Sequence, residues 1–66
     1  MGPKIEAILV ITNLPDRETA QRLAGRLVEE RLAACVNILA PCESVYRWQG
    51  QIETAQEITL LIKTLR

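Results

Sequence analysis

The chain has 66 residues, 48% of them hydrophobic and 3% aromatic, and its eight basic and eight acidic residues leave a formal net charge of zero. At this length residues 1–66 make a single small domain, marginal alone unless disulfides, metals or partner subunits support it. The composition is globular rather than disordered, and the balanced charge offers no long-range attraction to nucleic acid or an anionic membrane.

There is no histidine, which excludes a His-based triad and the usual His zinc sites within these residues. Two cysteines, Cys35 and Cys42, are too few for a disulfide framework and are not spaced as C-x-x-C. No apolar run approaches the ~20 residues of a membrane span. The apolar start, 5–11, contains Glu6 and leads into a turn without a small-residue cleavage site, so it does not read as a signal peptide. The expected compartment is the cytoplasm, with both thiols reduced.

Residues 5–12 read as the first strand. Ile5, Ala7, Leu9 and Ile11 line one face, Ile8 and Val10 the other, and a strand apolar on both faces is normally central. Asn13-Leu14-Pro15-Asp16 is a turn. Asp16 is a good N-cap, and Glu18 falls in the first helical turn, where the helix dipole favours it. A helix is expected over 17–34. Its apolar stripe is Ala20, Leu23, Ala24, Leu27, Val28 and Leu32, at spacings of three and four. Gly25 adjoins the stripe and costs roughly 1 kcal/mol of propensity relative to Ala. It has two readings, a close approach of helix to sheet or a neutral position.

A second strand is expected over 36–40, interrupted at Pro41-Cys42 by a bulge or bend because proline removes a ladder donor. It resumes over 43–48. Gln49-Gly50 is a tight turn, and Gly50 supplies the positive φ that hairpins want. The third strand runs over 51–64. The order β-α-β-β is the first part of a ferredoxin-like split βαβ sandwich, an α+β architecture that a second α-β would complete. Without that second part the first strand would be an exposed apolar edge, prone to aggregation or swapping.

A strand over 51–64 would span roughly 45 Å at ~3.3 Å per residue. A compact chain of this size is near ~30 Å across. The hairpin therefore projects around 46–57. Such an arm is marginal in water alone. Tyr46, Trp48 and Ile52 lie on it and are costly to expose. They are expected to pack on another subunit, where aromatic residues are enriched, with stacking on a ligand the other reading of Tyr46 and Trp48.

Cys35 has two readings. A free cysteine is commonly a small buried hydrophobe. Its thiolate is also a soft ligand that selects copper and similar metals. Cys42 reads as an incidental surface thiol, and a Cys35–Cys42 pair would make an incomplete metal site. Lys63, with Thr64, is either a solvated strand end or an anion-binding group. Glu53 and Glu57 read as soluble surface, able at most to accept a hard cation. No phosphate loop, nucleophile elbow or catalytic acid–base pair is present.

Three segments carry a resemblance. They are Glu29-Glu30-Arg31-Leu32-Ala33-Ala34-Cys35-Val36-Asn37, Ser44-Val45-Tyr46-Arg47-Trp48-Gln49-Gly50, and Leu60-Leu61-Ile62-Lys63-Thr64. Together they resemble the divalent-cation-tolerance (CutA) family, and the 66 residues look like about the first two thirds of such a protein. The resemblance implies a non-enzymatic cytoplasmic homotrimer whose arms join neighbouring subunits. It implies binding of copper or another divalent cation, with Cys35 as the metal contact, and a small anionic ligand met by Lys63 and Thr64. No organic cofactor is expected. The trimer also resembles signalling proteins of the nitrogen-regulatory (PII) type. The rival expectation is therefore a small-ligand-binding signalling or scaffolding trimer with only incidental metal binding. Cys42-Glu43 stands where the family often has glycine and carries no family role. The family's histidine and its C-terminal glutamate and tyrosine motifs are absent from these residues, so a cation site that uses them would be incomplete.

Overall fold

A computed structural model of the chain describes residues 6–65. Four elements follow in order: strand β1 (Ala7–Leu14), helix α1 (Arg17–Glu29), strand β2 (Cys35–Trp48) and strand β3 (Gln51–Leu65). Ile5, expected to open the first strand, lies outside the described residues.

Helix α1 starts where the sequence says it should. Asp16 is extended, with φ −151° and ψ 165°. Its Oδ1 accepts the Thr19 backbone N–H at 2.7 Å, satisfying one of the donors that a helix start leaves without a partner. The helix ends at Glu29, five residues before the expected Ala34. Arg31 takes φ 60°, the Arg31 N–H donates to the Val28 carbonyl at 3.1 Å, and the Leu32 N–H donates to the Leu27 carbonyl at 2.9 Å. This is a Schellman ending, with an arginine in the left-handed position that glycine normally fills. The apolar stripe carried the sequence reading through Leu32, but Leu32 belongs to the cap and is exposed. Gly25 is not a close approach: a Cβ built there meets nothing within 4 Å.

The sheet order is β1-β3-β2, and both pairings are antiparallel. β1 is therefore an edge strand among the described residues, the exposed apolar edge expected of the β-α-β-β portion alone. The hairpin inserts β3 between β1 and β2, which run parallel to each other. Helix α1 covers one face. The core beneath it is Ala20, Ile58 and Leu60, with Leu14, Leu23, Val36, Ile38 and Ile62 packed around them. Burying this small cluster holds α1 on the sheet, at ~25 cal/mol per Å² of apolar area removed from water. The opposite face carries Leu9 and Ile11, which remain 55% and 63% exposed.

β2 is continuous rather than interrupted. Ile38 pairs with Leu60 and Pro41 with Ile58, so Leu39 and Ala40 together oppose Thr59 alone. That is a β-bulge, and it lets Pro41 sit in a strand without breaking it. Past the bulge β2 and β3 form a two-stranded arm that closes between Trp48 and Gln51. Gln49 and Gly50 have φ 50° and 79°, the two positive values of a type I′ turn. The arm gives the molecule extents of 53 × 26 × 18 Å and a radius of gyration of 15.0 Å, well above the ~11 Å of a compact chain this size.

Candidate functional site: the bare face of the sheet

Cross-strand partners share a face of a sheet. Lys63, on the central strand, pairs with Cys35 on one side and with Leu9 on the other. The row Leu9–Lys63–Cys35 therefore crosses all three strands on the face opposite α1. All three residues are exposed. Of the two readings of Cys35, burial as a small hydrophobe is the one the structure contradicts: the thiol leaves the core because Val36 and Ile38 take the helix-side positions of β2.

The backbone around Cys35 is held locally. After the Schellman cap, the Thr64 hydroxyl donates to the Leu32 carbonyl at 2.6 Å. The Ala34 N–H donates to the Lys63 carbonyl at 2.8 Å. Thr64 thus lies on the helix side of β3, half-buried, while Lys63 points to the bare face. The two residues do not converge on one volume. Thr64 fixes the connection that delivers Cys35.

Cys42 pairs with Glu57. Glu57 and Lys63 are six positions apart on β3, which puts Cys42 roughly 20 Å from Cys35 at ~3.3 Å per residue. The two thiols cannot share an ion within one chain. Cys42 belongs to a different arrangement, one that sequence reasoning missed. The Thr59 hydroxyl donates to Asn13 Oδ1 at 2.7 Å, and Cys42 Sγ lies 3.3 Å from Thr59 Oγ1. Thr59 has one proton and gives it to Asn13, so the Cys42 S–H is the donor in the second bond. These bonds join β2, β3 and β1 beside the bulge. The partners are 17 and 46 residues apart, and no spacing rule in the sequence links them.

Tyr46 and Trp48 pair with Glu53 and Gln51, whereas Ile52 pairs with Arg47. The aromatic pair therefore shares the bare face, and Ile52 lies on the other side of the arm with Val45. Trp48 and Ile52 are 60% and 62% exposed. Both faces of the arm therefore carry exposed apolar side chains among polar ones.

Among the described residues no group of three or more His, Cys, Asp or Glu side chains could hold a metal ion. One chain offers a single soft donor at Cys35, so the residues present do not complete a metal site on their own. The described residues also contain no helix long and apolar enough to cross a membrane.

A small α-on-β layer with a projecting antiparallel arm is the β-α-β-β portion of a ferredoxin-like split βαβ sandwich. The sequence matches the family model described as CutA1 divalent ion tolerance protein over residues 8–66. The chain belongs to this family. It is 52% identical over 60 residues to the divalent-cation tolerance protein CutA of Thermus thermophilus, an alignment covering 91% of this chain and 57% of the relative. The solved structure of a divalent cation tolerance protein from the same organism superposes with a TM-score of 0.86 at 49% identity, over 89% of this chain and 57% of that one. A structure described as the periplasmic divalent cation tolerance protein CutA from Archaeoglobus fulgidus gives 0.85 at 42% identity, over 89% and 57%. The chain spans just over half the length of these relatives.

Proposed function

We propose that the chain works as a non-enzymatic divalent-cation tolerance protein, a cytoplasmic homotrimer that holds copper or another divalent cation between subunits. The observation that carries this reading is the arm. Val45 and Ile52 on one side and Tyr46 and Trp48 on the other are exposed, and leaving such area in water costs about 25 cal/mol per Å². Packing on neighbouring copies removes that cost, and a closed ring of identical subunits satisfies every arm equally.

Each copy brings one Cys35 thiol. Soft ions take several thiolate ligands, so neighbouring copies must supply the other donors, and metal binding depends on assembly. Lys63 beside Cys35 supplies a positive charge for an anionic ligand at the same place. Two exposed free thiols suit a reducing compartment. The comparisons lend the nitrogen-regulatory-type reading no support. The rival that remains is a scaffolding trimer whose copper uptake is incidental thiol chemistry.

Native mass spectrometry tests the proposal, run once without metal and once with one equivalent of Cu²⁺. A trimer with a discrete copper shift that survives a weak chelator supports it. A trimer with scattered, chelator-labile copper favours the scaffold. A monomer removes the assembly reading.

A further inference from the structure

The period of β2 and its observed pairing disagree. Val36, Ile38, Ala40, Cys42, Ser44, Tyr46 and Trp48 alternate along one chain. In an unbroken ladder Ala40, Cys42, Ser44 and Tyr46 would lie on the helix side with Val36 and Ile38. The bulge at Leu39-Ala40 uses one extra residue, so Cys42 to Trp48 cross to the bare face.

A second register is available to the same residues. Pairing Leu39 with Thr59 and Ala40 with Ile58 would continue the ladder without a bulge and bring Tyr46 opposite Ile52. The hairpin would then close with the three-residue loop Trp48-Gln49-Gly50, with Gly50 in the left-handed position such loops require. Both registers have an acceptable turn and an apolar residue opposite Ile58.

We infer that the bulge is a register selector, held from both sides, that decides which face of the arm Tyr46 occupies and whether Trp48 lies in the ladder or in the loop. On the helix side the Arg17 guanidinium donates to the Leu39 carbonyl, inside the bulge, at 3.4 Å. On the bare side Cys42, Thr59 and Asn13 join all three strands at the same level. At the tip, Gln49 is held at φ 50°, which the two-residue turn requires and the three-residue loop does not. In the selected register Tyr46 and Trp48 share a face with Cys35 and Lys63. In the other, Tyr46 would share the opposite face with Ile52. One residue of slip therefore exchanges the surface that the arm presents to a partner.

The test is interstrand NOE mapping by NMR on the 66-residue chain. The wild type should show the Tyr46–Glu53 pairing. The double variant Arg17→Ala, Thr59→Val removes the side-chain bonds on both sides. It should raise the Tyr46–Ile52 register at least about tenfold, the weight of the long guanidinium bond to Leu39 and the thiol–hydroxyl bond of Cys42, the two bonds of the set that tie β2 in the bulged register. Gln49→Val disfavours positive φ at the tip without touching the sheet and should shift the balance the same way. The Val36–Ile62 pairing reports whether the base of the sheet stays folded, and if the double variant loses it, Gln49→Val decides. The slipped register in either folded variant supports the inference; its absence from every folded variant overturns it. Native mass spectra of the same samples separate this result from the assembly reading. Slip with an unchanged oligomer keeps the register inference and removes the aromatic face as the subunit contact.

Discussion

Cys35 and Lys63 stand directly opposite each other on β2 and β3, on the face of the sheet that α1 leaves bare. They are 28 positions apart in sequence and become neighbours only because the hairpin folds β3 back along β2. A soft donor and a cation side by side on an exposed face differ from a buried core cysteine, and the arrangement makes the thiol the first residue to test.

Replacing Cys35 with serine should weaken copper binding by more than the roughly 10–100-fold that loss of an outer-layer partner costs. Cys42→Ser, roughly 20 Å along the same strand, should leave it unchanged. Competition titration against a weak chelator measures both. Equal copper affinity in Cys35→Ser and wild type would sink the assignment.

Gly25→Ala should stabilise the fold by about 1 kcal/mol, the helix-propensity difference. The added methyl meets open space, so no clash offsets the gain. A urea midpoint that rises with unchanged slope is the expected readout. A fall would mean that this helix face is covered by something the single chain does not show.

Arg31→Gly should also stabilise, by about 1 kcal/mol, because arginine at φ 60° bears the steric cost of the left-handed region. The gain should persist in high salt, since it is conformational rather than electrostatic. A stability loss would show that the arginine side chain makes a contact worth more than the strain.

The Asp16 carboxyl is held below its ordinary pKa, first by the Thr19 backbone N–H, then by the Thr19 side chain, with the Arg22 charge adding to both. The ionised cap therefore contributes stability above the unfolded Asp value, near ~3.9. That contribution is lost as pH falls through the lower folded value. Asp16→Asn keeps a capping acceptor but cannot titrate. Urea unfolding from about pH 6 down to pH 2 should show a shallower acid loss in the variant. Identical acid slopes would remove Asp16 from the pH response.

Local chemistry was legible along the chain wherever one residue type has one dominant use. Asp16 reads as an N-cap because its carboxylate can reach an N–H three residues on. Gln49-Gly50 reads as a hairpin turn, and the length of β3 demanded a projecting arm, since a straight strand cannot be longer than the body that holds it. The end of α1 was misread because Leu32 keeps the helical period while Arg31, with no glycine to signal it, turns the backbone. The site was only partly legible. Cys35 and Lys63 could be singled out as residue types, but their adjacency could not, and the bonds among Cys42, Thr59 and Asn13 left no trace in any spacing.

Element types and order, the N-cap, the turn and the arm follow from the amino-acid sequence, because each depends on residues within a few positions or on strand length. Strand order, the exposure of Cys35, the opposite facing of Lys63 and Thr64, and the side taken by Tyr46 and Trp48 were settled by the folded sheet. Each of these depends on which distant residues pair, and a single extra residue in β2 reverses the parity of everything beyond it. A periodic pattern records that two faces exist; only the pairing across strands says which one meets the helix.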